Sequence, residues 1–342
     1  MAPVALALRE RTSEFQTVLC STGQHRGMLK QTLAVFGLTP DVDLDLMLPS
    51  QTLSDLTARA VGALDQVMTD ARPDLVVVQG DTTSAMAGAL AAYYRRMPVA
   101  HLEAGLRTDD LYQPFPEEGN RRLIDTLAAL HFAPTPSAAC RLRQEGVPNG
   151  RIFVTGNTVI AALLYVRKGV RPATCSSLPN GCRRVLLTMH RRESRGEALE
   201  NICRAILQLV ERNHDIEVVF PVHASPFVRE PVTRMLGERA RIRLTEPLGY
   251  QEFVLLMDSC HLILTDSGGI QEEAPALGKP VLVLRDTSER TEAISAGTSL
   301  LLGTDIDRVV SATETLLHDE KAYRTMAHAE NPYGDGRPPH GS

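Results

Sequence analysis

The segment LILTDSGGIQEEAPALGKPVLV, residues 262–283, decides the fold. An apolar run at 262–265 is followed by the turn Ser267-Gly268-Gly269, a helical pattern beginning near Ile270 and ending by Leu277, and a second apolar run at 281–284. Two parallel strands need a crossover of about a dozen residues, usually a helix, so the segment predicts a βαβ unit of a parallel sheet. Its glycines let the backbone approach an anion closely, and the helix start offers exposed amides and a positive dipole suited to a diphosphate. Glu272 and Glu273, further into the helix, can accept hydrogen bonds from ribose hydroxyls. An ordinary βα turn with acids near the helix start is the alternative. LRDTSER after the next strand places Arg285 and Arg290 near the same rim, which favours the anion site.

The same alternation extends in both directions. The first half predicts strands at 17–20, 75–79, 99–102 and 152–154, each followed by a turn signal and a helix. The second half adds strands at 185–189 and 217–220 and helices near 199–213, 253–260 and 306–318. Residues 168–181 hold Pro172, Ser176, Ser177, Pro179, Asn180 and Gly181 and lose the periodic pattern, which predicts a linker. The expected class is therefore α/β, with Rossmann-like domains at 1–167 and 168–342 whose parallel sheets face a cleft. Strand-end loops of such sheets carry the ligand sites.

Composition narrows the function. A chain of 342 residues, 43% hydrophobic and 23% charged, is that of a globular protein, and it contains no apolar run of about 18 residues that would span a bilayer. The opening MAPVALALRE does not have the form of a secretion signal, so the cytoplasm is the expected location. Six cysteines without a CxxC pair argue against a zinc site or a disulfide framework. A net charge of −5 gives no footprint for nucleic acid, so an anionic ligand must be held locally.

Three further segments carry chemistry. LVVVQGDTTSA, residues 75–85, places Asp81 at a strand end before a helix, where it is either a catalytic acid or a helix cap. VAHLEAGLRTDDLYQPFPEEGNRR, residues 99–122, brings Glu103, Glu117 and Glu118 onto loops beyond the next strand. Such carboxylates can exchange protons with a carbon acid when partly desolvated; the alternative is a solvated loop whose acids pair with Arg107, Arg121 and Arg122. LLTMHRRES, residues 186–194, ends a strand with His190, Arg191 and Arg192, a histidine able to shuttle a proton beside two guanidinium forks suited to phosphate. The glycines form no GxGxxG, and neither a Walker motif nor HExxH occurs, so a nucleotide diphosphate held without metal or other cofactor is expected.

QGDTTS, HLEAGLRT, PFPEEGNRR, TGNTVI, MHRRES, PVH, TDSGGIQEEAPALGKPVLVLRDTSER and NPYGDG occur in this order, and together they resemble the bacterial non-hydrolysing UDP-N-acetylglucosamine 2-epimerases from residue 1 to about residue 336. The resemblance implies a glycosyltransferase-B-like fold, usually a homodimer. It also implies interconversion of UDP-N-acetylglucosamine and UDP-N-acetylmannosamine for cell-surface polysaccharide synthesis, by elimination of UDP and its re-addition. Asp81, Glu103, Glu117 and His190 match the family's catalytic residues. Ser267, Gly268 and Gly269 match its phosphate turn, Glu273 its ribose contact, Arg290 a UDP contact and Phe253 a uracil-packing residue, although Leu248 stands where relatives often have glutamine. In some members a second UDP-N-acetylglucosamine binds as an activator; Gln24, His25 and Arg26, with Arg192 and His223, match that role.

Relatives begin with a strand and a GTRPE-type loop before the MAP that opens this chain, and continue into a closing helix where this chain ends in RPPHGS. The expectation is a first sheet without one central strand, whose neighbours present unpaired backbone. Alternatives to the epimerase are a hydrolysing epimerase or glycosyltransferase on the same fold, or a non-catalytic UDP-sugar-binding paralogue.

Overall fold

The computed structural model describes residues 1–23, 26–48, 50–108, 110–169, 181–190, 196–288 and 290–336. Two units emerge, Met1–Ala162 together with the segment from Tyr333, and Leu163–Pro332. The division falls inside a helix rather than in the expected linker, of which 170–180 lie outside the described residues. The chain also returns to the first unit at its end. Tyr333 is 1% exposed, and its carbonyl accepts from Asn157 N at 2.8 Å.

Unit one runs α1 (Ala2–Glu10), β1 (Cys20–Ser21), α2 (Arg26–Val35), β2 (Val42–Asp43), α3 (Leu53–Ala71), β3 (Val76–Gln79), α4 (Thr83–Tyr94), β4 (Val99–Leu102), α5 (Glu117–Leu127), β5 (Leu130–Ala133), α6 (Pro136–Gln144), β6 (Ile152–Val154) and α7 (Thr158–Gly169), the helix that crosses the unit boundary. Its strands are all parallel and form two separate sheets, β1-β2 and β3-β4-β5-β6. Among the described residues β1 pairs only with β2, and β3 only with β4. The core between α3, α4 and β3 is built from small residues. Ala60, Ala87, Ala89, Ala91 and Ala92 are fully buried, which lets the two helices approach closely and makes any enlargement there costly.

Unit two runs β7 (Arg183–Thr188), α8 (Glu197–Arg212), β8 (Ile216–Pro221), α9 (Pro226–Leu236), β9 (Ile242–Thr245), α10 (Tyr250–Ser259), β10 (Leu262–Thr265), α11 (Gly268–Glu273), β11 (Val281–Val283), α12 (Thr291–Ser295), β12 (Ser299–Leu301), α13 (Ile306–His318) and α14 (Glu320–Ala327). Its parallel sheet has the order β9-β8-β7-β10-β11-β12, the doubly wound order in which consecutive strands first move one way and then, from β7 to β10, the other. α8 explains itself: Leu199, Ile202, Ile206 and Leu209 recur at helical spacing and are at most 1% exposed, and truncating any one to alanine costs about 2–5 kcal/mol. The crevice of such a sheet lies beyond its strand ends where the order reverses, so residues after β7 and β10 occupy the ligand address.

Candidate active site

In unit one, β3 ends in a turn at Gly80, whose φ of +71° is the left-handed region that glycine enters without cost. Asp81 follows. The cap of α4 is Thr82, whose side chain accepts from Ala85 N at 3.2 Å, so Asp81 is not spent on capping. One carboxylate oxygen of Asp81 accepts from Arg121 Nη2, and its carbonyl accepts from Asn120 Nδ2 at 2.9 Å. Arg121 sits on α5 and is 5% exposed, so a turn beyond β3 is held by a buried cation forty positions along the chain.

Glu103, just past β4, has φ +68°, a strained value for a residue with a side chain. Its Oε1 accepts from Gln79 Nε2 at 2.5 Å. A Cβ placed on Gly80 would lie 3.8 Å from Glu103 Oε2, which puts the β3 and β4 loops side by side.

The paired acids of PFPEEGNRR part company. Glu118 is fully buried and accepts from Arg122 Nε at 2.7 Å, Thr108 N at 3.1 Å and Arg121 Nη1 at 3.2 Å; it anchors the loop. Glu117 opens α5 half-buried, with no hydrogen bond or ion pair from its carboxylate among the described residues. Of the acids in this segment Glu118 pairs with Arg121 and Arg122, in a buried rather than a solvated setting, and Glu117 is left with its lone pairs available.

In unit two, His190 follows β7 and Asp266 follows β10, the two strands at which the order reverses. Asp266 is fully buried; its carboxylate accepts from His190 N at 3.0 Å and lies 3.1 Å from His190 Nδ1. The imidazole is 47% exposed. Ser267 caps α11 without a side-chain cap bond, and Gly268 and Gly269 belong to the first turn, two residues earlier than the helix start expected near Ile270. A first helical turn has no intrahelical partners for its amides, so these remain to bind a ligand. Arg191 and Arg192 lie outside the described residues.

The acids of α11 also divide. Glu272, one of the two candidate ribose acceptors, is committed to Arg290, the expected UDP contact, whose Nε donates to its Oε1 at 2.7 Å. Glu273 accepts from Tyr250 Oη at 3.1 Å, and burial pushes its carboxyl up to about 7. Burial beside that carboxyl also raises the Tyr250 phenol above its ordinary value. Phe253 stands one turn beyond Tyr250 on α10, half-buried. His223 is exposed and accepts from Ser225 N through Nδ1 at 3.1 Å; Gln24, His25 and Arg192 lie outside the described residues. Among the described residues no three His, Cys, Asp or Glu side chains gather as for a metal, and no helix is long and apolar enough to cross a membrane.

Sequence reading passed over Gln79, His101, Asp125, Tyr250 and Asp266. All hold a named site residue or its loop by side-chain bonds, and their signal in sequence is only that each is a polar residue within an apolar strand or at its end, or on a helix face that packs inward.

Two parallel α/β units of this kind, one bearing carboxylates and the other a histidine and a helix-start turn, make a glycosyltransferase-B-like enzyme. A family model described as UDP-N-acetylglucosamine 2-epimerase matches residues 7–339. The UDP-N-acetylglucosamine 2-epimerase of Salmonella typhimurium is 50% identical over 346 residues, 98% of this chain and 92% of that protein. Among solved structures, UDP-GlcNAc 2-epimerase from Neisseria meningitidis bound to UDP-GlcNAc superposes with a TM-score of 0.92 at 43% identity, over 98% of this chain and 92% of that one. The Methanocaldococcus jannaschii UDP-GlcNAc 2-epimerase in complex with UDP-GlcNAc and UDP does so at 0.79 and 33%, with the same coverage. A glycosyltransferase from Streptomyces nogalater, 18% identical with a TM-score of 0.56, shares the fold alone. The chain belongs to the UDP-N-acetylglucosamine 2-epimerase family.

Proposed function

We propose that the protein interconverts UDP-N-acetylglucosamine and UDP-N-acetylmannosamine through Asp81, Glu103, Glu117 and His190, without a cofactor. The observation that carries this is the 50% identity to the Salmonella enzyme across 98% of the chain. In the forward direction a carboxylate takes the proton from sugar carbon 2. The C–H electron pair becomes the carbon 1–carbon 2 double bond, and the bond from carbon 1 to the diphosphate oxygen breaks with its electrons leaving on UDP. Return of a proton to the opposite face and re-addition of UDP complete the change. Half-buried carboxylates on strand-end loops suit the proton steps, and preorganised amides suit the departing diphosphate.

Ser267, Gly268 and Gly269 receive the diphosphate on this reading, Glu273 the ribose and Phe253 the uracil. Arg290 reaches UDP by exchanging its partner Glu272 for the diphosphate. Unit one serves the proton transfers and unit two the nucleotide. A homodimer, a cytoplasmic location and activation by a second UDP-N-acetylglucosamine through Gln24, His25, Arg192 and His223 belong to the same proposal.

The test is incubation with UDP-N-acetylglucosamine in deuterium oxide. Deuterium at carbon 2 in both UDP-sugars is expected, and absence of both exchange and interconversion overturns the reading. Free N-acetylmannosamine with UDP would select the hydrolysing enzyme, sugar transfer to an added acceptor the transferase, and UDP binding without turnover the non-catalytic paralogue.

A further inference from the structure

We propose that His101 is the positioning residue that holds all three proton-transfer loops of unit one in register, the Asp81 turn directly through Gly80 and the other two through the carboxylate of Asp125. The inference rests on the roles proposed above for Asp81, Glu103 and Glu117.

His101 lies on β4 two residues before Glu103, and its side chain is fully buried. Nε2 is 2.9 Å from the carbonyl of Gly80, the residue before Asp81. Nδ1 is 2.6 Å from Oδ1 of Asp125 on α5. The other oxygen of Asp125 accepts from Gly105 N at 3.1 Å and Arg107 Nη2 at 2.7 Å, both on the loop that Glu103 begins. One ring and one carboxylate thus bond to the turn that carries Asp81, to the loop that carries Glu103, and to the helix whose first residue is Glu117.

Both ring nitrogens face oxygen acceptors at hydrogen-bond distance. Arg107 pairs with Asp125 and with Glu145. Burial pushes the Asp125 carboxyl up, but the bonds and charges of His101 and Arg107 outweigh it and hold the group below the ordinary carboxylate range. Asp125 is therefore a fixed anion. A neutral ring would leave the Gly80 carbonyl or the carboxylate facing a lone pair in a buried site. The strained φ of Glu103 is a conformation that persists only where the surroundings over-determine it, and this cluster borders it.

Two substitutions separate the two bonds. In His101→Asn the amide nitrogen falls where Nδ1 was, keeping Asp125 and releasing Gly80; in His101→Gln it falls where Nε2 was, keeping Gly80 and releasing Asp125. For His101→Asn the expected result is a kcat loss on the order of 10²-fold with KM changed less than about threefold, since misplacing a catalytic group by about 1 Å has that effect while the nucleotide contacts are untouched. His101→Gln should recover about tenfold of the lost kcat. Backbone amide exchange at Gly80 and Asp81 should quicken in His101→Asn and at Gly105 in His101→Gln, with β10 unchanged in both. Wild-type kcat in His101→Asn overturns the proposal, as do equal losses in both variants with lowered melting temperature, the mark of a merely structural residue. If the unaltered enzyme shows no carbon-2 exchange, the epimerase reading fails; the amide-exchange measurement then decides the positioning claim alone, and unchanged exchange at all three amides overturns it.

Discussion

His190 Nδ1 stands 3.1 Å from Oδ1 of Asp266, and the same buried carboxylate accepts from the His190 backbone N–H at 3.0 Å. The backbone donor of His190 is fixed by this anion, and the Nδ1 edge of its ring lies beside it. Asp266→Asn replaces one acceptor oxygen by a donor that faces the His190 backbone N–H. The expected outcome is a kcat lower on the order of 10²-fold with the protein folded, read by steady-state kinetics beside a melting curve. Unchanged kcat would remove Asp266 from any role in orienting the ring.

Arg121 carries a second prediction. Its guanidinium, 6% exposed, bonds Asp81 through Nη2 and fully buried Glu118 through Nη1. Removing it leaves Asp81 without its counter-charge and buried Glu118 with Arg122 alone. Arg121→Met should cost about 3 kcal/mol in chemical denaturation and lower turnover as well, because Asp81 loses its anchor. Arg121→Lys should recover part of the stability and little of the turnover, since an ammonium cannot span both acids as a fork does. A loss under about 1 kcal/mol for Arg121→Met would mean the network is solvated.

The strands that carry the site were legible because they are apolar and end in punctuation. β4, β6, β10 and α13 have the bounds expected from sequence, and β3 and β11 differ by one residue. Four strands were not foreseen: β2, β5, β9 and β12. Three of them are short sheet edges. β5 lies inside its sheet, but Leu-His-Phe-Ala has no β-branched residue and holds the buried His131. The site divides in the same way. Asp81, Glu103, His190 and the 267–269 turn announce themselves by position after a strand. Asp125 does not, because its partners His101 and Arg107 lie 24 and 18 residues away and only the closed fold brings them together.

Glu273 gives a pH prediction whose sign follows from burial. Its carboxyl is pushed from 4.5 up to about 7 in the folded protein. A raised carboxyl favours folding while protonated, so its contribution is fully present below about 4.5 and is lost as pH rises through about 7. The full difference is on the order of 3 kcal/mol. Glu273→Gln, which stays neutral, should therefore show a flatter stability profile between pH 4.5 and 7 than the parent chain. Denaturant midpoints measured across that window for both proteins check this, and parallel profiles would show that Glu273 ionises freely when folded.

Gly105 and Gly146 make a matched pair for the last prediction. Both have positive φ, +84° and +88°, so alanine at either pays the left-handed penalty of about 1 kcal/mol. Their surroundings differ. A Cβ at Gly105 would meet the Ala138 carbonyl oxygen at 2.4 Å and Leu142 Cγ at 2.8 Å, while one at Gly146 meets nothing within 4 Å. Ala138 and Leu142 lie on α6, so the glycine is what allows the loop bearing Glu103 to press against that helix. Gly146→Ala should cost about 1 kcal/mol and leave turnover unchanged. Gly105→Ala should cost at least about 3 kcal/mol, or lift the loop from α6. In the second case the Gly105 amide draws away from Asp125 Oδ2, now 3.1 Å distant, and turnover falls even where the protein still folds. Equal stability losses in the two variants would mean that α6 yields to the added methyl and that the loop is not pinned by contact.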